Sequence, residues 1–249
     1  MFEQVIRDYV EMEPGQSDAW NPLKKDYELA YRLSLFSCLT AALRKCEIPL
    51  ASLNILDIGC GTGRSTRMYI DLGIYPEQLT GVDLREGAVA LAARLNPAIK
   101  YKVIRTAKDA ITDGQHQYNW IHTSTAFSSI RQVRERESFA NEISDILSVG
   151  GYFFYYDLER ANDFAGGDLI NPRRLFSQLQ PVLSLTVNEF PYVRLFKSLQ
   201  EKSDTLNSGK KESKIKRIAR VILNREIREA DPQEICRKDV VLFRKNAML

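Results

Sequence analysis

The sequence is poor in the residues that build metal and disulfide sites. Its 249 residues include four cysteines (Cys38, Cys46, Cys60 and Cys236) and two histidines (His116 and His122). No two cysteines stand as C-x-x-C, so the spacing of a zinc site is missing. The expectation is no metal, and four reduced thiols in a reducing compartment. There is also no run of about 20 apolar residues, the length that a membrane-crossing helix needs. The first residues, MFEQVIRDYVEMEP, bring acids early and no continuous apolar stretch, unlike a signal peptide. An excess of one charge is lacking too. Lys+Arg 35 against Asp+Glu 32 leaves a net charge of +3, too little to argue for DNA or RNA by itself. These absences lead to the expectation of a soluble, cytoplasmic protein.

What is present is ordinary for a globular chain. Apolar residues make up 44%, and the length suits one large α/β domain. Leu29, Leu33, Phe36, Leu39 and Leu43 recur at helical steps and predict a helix over 23–46, the core of an N-terminal helical cap spanning 1–49. Strands are predicted at Asn54–Ile58, Leu79–Leu84, Lys100–Arg105, Tyr118–Thr123 and Tyr152–Asp157. Helices fall between them at Arg64–Leu72, Glu86–Leu95 and Arg134–Leu147. This alternation over residues 50–158 indicates a parallel sheet covered by helices on both faces. Pro172–Leu179 reads as a helix capped by Asn171, and Val182–Phe190 and Asp239–Arg244 as two more strands. The fold expected is a single α/β domain with a doubly wound, mostly parallel, seven-stranded sheet.

The stretch 191–238 is a basic insert near the C-terminus. Between Lys197 and Arg220 eight basic residues stand against three acidic ones. Ile215, Ile218, Ala219 and Ile222 predict one apolar face of a basic helix there. Such a helix either packs on the domain with its lysines solvated, or docks an acidic acceptor or an anionic membrane surface.

The segment Asp57-Ile58-Gly59-Cys60-Gly61-Thr62-Gly63 follows a strand and opens a helix, the arrangement that holds a nucleotide-like ligand. A dinucleotide fingerprint needs G-x-G-x-x-G, and Arg64 stands where its third glycine belongs. Asp57 would repel a pyrophosphate and suits a ligand that carries an ammonium group. Asp83 ends the second strand, where an acid accepts the ribose hydroxyls.

ILDIGCGTGRST and LTGVDLREGAVALAARLNP resemble the first two motifs of class I S-adenosylmethionine-dependent methyltransferases. Tyr118–Ile121 stands where the family often has F-D-x-V, with Asn119 in place of the acid, and SVGGYFFYYD resembles the fifth-strand segment. TSTAFSSI and YYD look closest to bacterial methyltransferases encoded among polysaccharide-biosynthesis enzymes.

The resemblance implies S-adenosylmethionine as cofactor and S-adenosylhomocysteine as product. It places Asp57, Gly59, Cys60, Gly61 and Gly63 around the methionine part, Asp83 at the ribose and Leu84 beside the adenine. Thr106 and Ala107 would also lie near the adenine, with Asp109 standing in for the acid often found at Thr106. Thr123 and Ser124 would lie under the sulfonium. For the chemistry, Asp157 is expected as base or acceptor-orienting residue, with helix capping as its bland role. His122 is a second candidate, against a buried core histidine. Tyr155 and Tyr156 alternate across the sheet, so only one can face the ligand. The reaction expected is methyl transfer to a hydroxyl of a small molecule or glycan, and an acidic acceptor would match the basic insert. An RNA or protein acceptor, or a non-catalytic regulator, are the alternatives.

Overall fold

The structure, a computed structural model, describes residues 26–111, 118–159, 168–188 and 237–246. The chain divides into two compact units. One comprises Met1–Ser17, Phe36–Thr186 and Lys238–Leu249, the other Asp18–Leu35 and Val187–Arg237. Most of the basic insert, with its predicted helix, lies outside the described residues, as do Trp20 and Asn21 of the predicted cap.

The larger unit is built on a seven-stranded sheet: β1 (Ile55–Ile58), β2 (Leu79–Asp83), β3 (Lys100–Val103), β4 (Tyr118–Ser124), β5 (Leu147–Leu158), β6 (Gln180–Asn188) and β7 (Arg237–Arg244). The order across the sheet is β3-β2-β1-β4-β5-β7-β6. The first five strands are parallel, and β7 runs antiparallel to β5. The helices are α1 (Asp26–Leu43), α2 (Arg64–Asp71), α3 (Glu86–Leu95), α4 (Val133–Ile146) and the single turn α5 (Pro172–Leu175). The predicted helix over 172–179 is thus cut short. Asn171 caps it as expected, its side chain accepting from the Arg174 amide, but Phe176 already leaves the helical region.

Every residue of β1 and β2 is buried, which is why both read as unbroken apolar runs rather than alternating ones. β3 is the exposed edge. A large apolar core on one face joins Leu56, Ile121, Phe153, Tyr155 and Phe243 to Ile143 of α4 and to Phe176. The opposite face carries Trp120, His122 and Phe154: the Trp120 ring stacks on Phe154, and His122 meets Phe154 edge-on. There Tyr69 of α2 accepts a hydrogen bond from Trp120 Nε1 at 2.6 Å.

β5 begins at Leu147, before the Gly-Gly pair expected to precede it. Gly150 (φ +78°) sits where the β4–β5 register shifts. Its amide donates to the Lys245 carbonyl, so the irregular start is tied to the chain just beyond β7.

β1 leads outward to β2 and β3, and the chain then returns to the other side of β1 as β4. The strand order therefore reverses between β1 and β4. In open α/β sheets the ligand crevice lies at such a switch point, beyond the carboxyl ends of the strands. Asp57 and Ile58 close β1, and Thr123 and Ser124 close β4, so the sequence candidates meet where the topology opens the sheet.

Candidate cofactor and methyl-transfer site

The loop after β1 turns three times through the left-handed region, at Gly59 (φ +78°), Gly61 (φ +56°) and Gly63 (φ +76°). Side chains disfavour that region, and glycine enters it without cost. The amides of Gly59 and Cys60 both donate to the Val82 carbonyl, at 2.8 and 3.0 Å, which ties the loop to β2. Gly63 caps α2 with no side chain over the helix end. A Cβ on Gly59 would stand 3.1 Å from Ala126 Cβ, so the segment after β4 closes on this loop.

Asp57 is fully buried beneath the loop. The hydroxyls of Ser65 and Thr66, at the start of α2, both donate to its Oδ2 at 2.6 Å. Its Oδ1 has no hydrogen-bond partner among the described residues and faces His122 Nδ1 at 3.8 Å. His122 is also fully buried, edge-on to Tyr69 and Phe154, and neither ring nitrogen has a hydrogen-bond partner among the described residues. Burial holds its pKa below the usual histidine value, against the opposing pull of Asp57. Burial also raises the Cys60 thiol well above its ordinary value, and Asp57 and Asp83 push the same way.

Asp83 ends β2 with its carboxylate against the loop. Gly61 N donates to Oδ2 at 2.8 Å, while Arg85 N and Nε donate to Oδ1 at 2.9 and 3.2 Å. Leu84 is 38% exposed beside it. Across the same edge, Thr106 is exposed and Ala107 buried. The Ala107 amide donates to Glu142 Oε2 at 2.8 Å. Asp109 turns back on the chain, accepting from the amides of Arg105 and Thr106.

At the end of β4, Thr123 and Ser124 are both buried but alternate across the sheet. Ser124 shares the face of His122, and Thr123 looks into the large core. Thr125 holds φ 55°, the one non-glycine residue in the left-handed region among the described residues. Asp157, at the end of β5, is fully buried. Its Oδ2 accepts from the Phe127 amide at 2.7 Å and its Oδ1 from the Leu158 amide at 2.8 Å. The Ser128 amide donates to both oxygens at 3.3 Å. Burial raises its pKa, with these hydrogen bonds opposing. The carboxylate thereby caps the short 3₁₀ turn Phe127–Ser129, a partner that spacing alone did not reveal. Tyr155 and Tyr156 are fully buried on opposite faces.

Reading motifs also missed Arg85, Thr125, Glu142 and Tyr101. Only the strain at Thr125 marks a site by itself. The others are ordinary residues whose roles come from contacts between strands.

The residues fit S-adenosylmethionine better than a dinucleotide. A buried carboxylate oxygen with no donor among the described residues and a second acid, at the end of β2, held against the same loop favour a cation-bearing ligand and oppose a pyrophosphate. The three left-handed glycines keep the loop surface bare for a close-lying ligand.

Comparison with known proteins agrees. Residues 55–151 match the family described as a methyltransferase domain. Phthiotriol/phenolphthiotriol dimycocerosates methyltransferase of Mycobacterium tuberculosis is 25% identical over 137 residues, 54% of this chain and 49% of the relative. The chain thus spans about half the length of the curated relatives it matches. Among solved structures, N-methyltransferase NodS of Bradyrhizobium japonicum in complex with S-adenosyl-L-homocysteine superposes with a TM-score of 0.63 at 13% identity. That match covers 97% of this chain and 99% of the other. Phosphoethanolamine N-methyltransferase 2 of Haemonchus contortus, in complex with S-adenosyl-L-methionine, gives 0.56 at 12% identity, covering 97% and 60%.

Residues 55–151 thus match a methyltransferase domain, and the sheet that carries them has the fold of the class I S-adenosylmethionine-dependent methyltransferases. Enzymes of this class take their methyl group from S-adenosylmethionine.

Proposed function

We propose that the protein transfers a methyl group from S-adenosylmethionine to a hydroxyl of a small-molecule or glycan acceptor, in the cytoplasm, as a step of polysaccharide biosynthesis. The observation that carries this reading is the pair Asp57 and Asp83 at adjacent strand ends, both held against one glycine loop. The bound cofactor would supply a carbon already activated for displacement. The protein is then left mainly with positioning, which can contribute about 7–11 kcal/mol. Asp83 would hold the ribose, and Leu84, Thr106 and Ala107 would border the adenine. Asp57, Gly59, Cys60, Gly61 and Gly63 would enclose the methionine part, with Ser124 nearer the sulfonium than Thr123. Asp157 is assigned an acceptor-orienting role, exerted through the turn Phe127–Ser129 that it caps. His122 is assigned to the support of Asp57.

The names of the relatives support a small-molecule acceptor: one is named for a phthiotriol and another for phosphoethanolamine. No helix among the described residues is long and apolar enough to cross a membrane.

The test begins with calorimetric titration of the full chain with S-adenosylmethionine and with NAD, for wild type and Asp83→Ala. Saturable binding of S-adenosylmethionine alone, weakened by the substitution, is expected. Labelled methyl transfer is then assayed on neutral sugars, acidic sugars and small amines. Incorporation into sugars supports the reading. Incorporation into amines alone overturns the choice of hydroxyl, and binding of NAD in place of S-adenosylmethionine overturns the whole.

A further inference from the structure

Arg85 occupies an unexpected place. Its backbone amide and its Nε both donate to Asp83 Oδ1. Its guanidinium also lies over the glycine loop, where a Cβ on Gly61 would meet Nη2 at 3.2 Å. The side chain is only 16% exposed. One guanidinium therefore covers two structures that would clasp the cofactor, the loop at its methionine part and the acid at its ribose.

The hydrogen-bonding capacity of Asp83 makes this decisive. A carboxylate offers about four lone-pair sites. Three are engaged here, by Gly61 N, Arg85 N and Arg85 Nε. A ribose diol that donates both hydroxyls needs two, and only one remains. The two amides belong to the loop and to the turn after β2, so they stay where the backbone puts them. The side-chain Nε is the donor that can leave. Charge points the same way, because S-adenosylmethionine brings an ammonium and a sulfonium toward a seat on which a guanidinium lies.

We propose that Arg85 gates the ribose seat: its side chain must release Asp83 and clear Gly61 before the cofactor's diol can bind. The gate rests on the cofactor reading above. Arg85 is thus a positioning residue that sets cofactor affinity by competition for one carboxylate. Removing its head group frees an acceptor site that the ribose would otherwise have to win.

The test is calorimetric titration of the full chain with S-adenosylmethionine and with S-adenosylhomocysteine. Four proteins are compared: wild type, Arg85→Met, Asp83→Asn and the double variant. Arg85→Met keeps the apolar stem and removes the donors. It is expected to bind both ligands about three- to tenfold more tightly than wild type, the net worth of one displaced hydrogen bond. The gain should shrink or vanish in the Asp83→Asn background, because the competition is for that carboxylate. Thermal melting of each protein shows that the fold is retained, and Arg85→Gln supplies a second variant should Arg85→Met melt early. Unchanged or weaker binding by folded Arg85→Met or Arg85→Gln, with wild type binding normally, would overturn the gate and leave the cofactor reading intact. An equal gain in both backgrounds would also overturn it, since the effect would not pass through Asp83. No binding by any of the four proteins would overturn the cofactor reading and the gate with it.

Discussion

Asp57 and His122 stand opposite one another on β1 and β4, with Oδ1 and Nδ1 3.8 Å apart, and neither atom has a hydrogen-bond partner among the described residues. The separation is too long for a hydrogen bond. Around the imidazole lie the rings of Tyr69 and Phe154, both edge-on, and Asp57 is the charged group that acts on it. Burial is the larger influence and holds the pKa of His122 below its ordinary value, with Asp57 pulling the other way.

A pH dependence follows from that direction. A histidine whose pKa is lowered by folding binds its proton more readily in the unfolded chain. Stability is then complete above the unfolded pKa of about 6.5. It falls as the pH drops below that value, by up to about 1.4 kcal/mol per pH unit, until His122 protonates in the folded state. His122→Phe removes the titration while keeping a ring between Tyr69 and Phe154. Urea midpoints of both proteins, measured across this range, are expected to show wild type losing stability faster on acidification. Parallel profiles would show that His122 is not held neutral by the fold.

Asp57 separates structure from ligand binding in one residue. Asp57→Ala strips the acceptor from two buried hydroxyls, Ser65 and Thr66, and is expected to cost about 2–4 kcal/mol. Asp57→Asn keeps one oxygen for them and removes the charge. It is expected to melt close to wild type while binding S-adenosylmethionine at least about tenfold more weakly. Equal affinity for the charged and amide forms would exclude the carboxylate from recognising the cofactor's cationic groups.

The sequence showed Asp57 and Asp83 more readily than it showed their surroundings, for a physical reason. A parallel strand buried on both faces and a glycine turn leave local signatures, so β1, β2 and the loop stand within a residue or two of expectation. The bounds of α3 coincide with those expected. The early start of β5 was hidden because it depends on Lys245, nearly 100 residues away, which pairs with Gly150 and Gly151. The cap that Asp157 places on Phe127 and Ser128 and the bond from Ala107 to Glu142 are likewise products of tertiary packing. Strands four and five were legible as apolar runs, whereas their partners and the ring contacts of Trp120, His122 and Phe154 were not. Which side each tyrosine faces follows only once the register is known.

Gly81 shows such a hidden constraint. It faces Tyr101 in the β2–β3 register, and a Cβ there would stand 2.6 Å from Tyr101 Cδ1 and Cε1 and 3.1 Å from Cys60 Sγ. The same ring lies against Gly63 at the start of α2, where its hydroxyl would collide with an added Cβ. Burial, with Cys60 and Asp57 nearby, pushes the Tyr101 hydroxyl up to about 12. Gly81→Ala is expected to destabilise by about 1–3 kcal/mol, because the ring must shift against the helix end. Tyr101→Ser should recover most of that loss in the double variant, measured by urea unfolding. Additive losses would show that the ring is not what excludes a side chain at Gly81.

Asp157 poses the sharpest choice between a chemical and a positioning role. Three backbone amides, from Phe127, Ser128 and Leu158, aim at its two oxygens. A general base must instead leave a lone pair open to the proton it removes. Asp157→Ala abandons the buried amides and is expected to cost about 2–4 kcal/mol. Asp157→Asn still offers one oxygen to the Phe127 and Ser128 amides, and should stay folded. If the carboxylate were the base, that variant would lose about 10²–10⁴-fold in kcat, with the acidic limb of the pH profile abolished. If it only holds the turn that orients the acceptor, kcat should change by less than about tenfold and the loss should fall mainly on acceptor KM, with the pH profile kept. The amide geometry favours the second outcome, and steady-state kinetics of the folded Asp157→Asn enzyme distinguish the two.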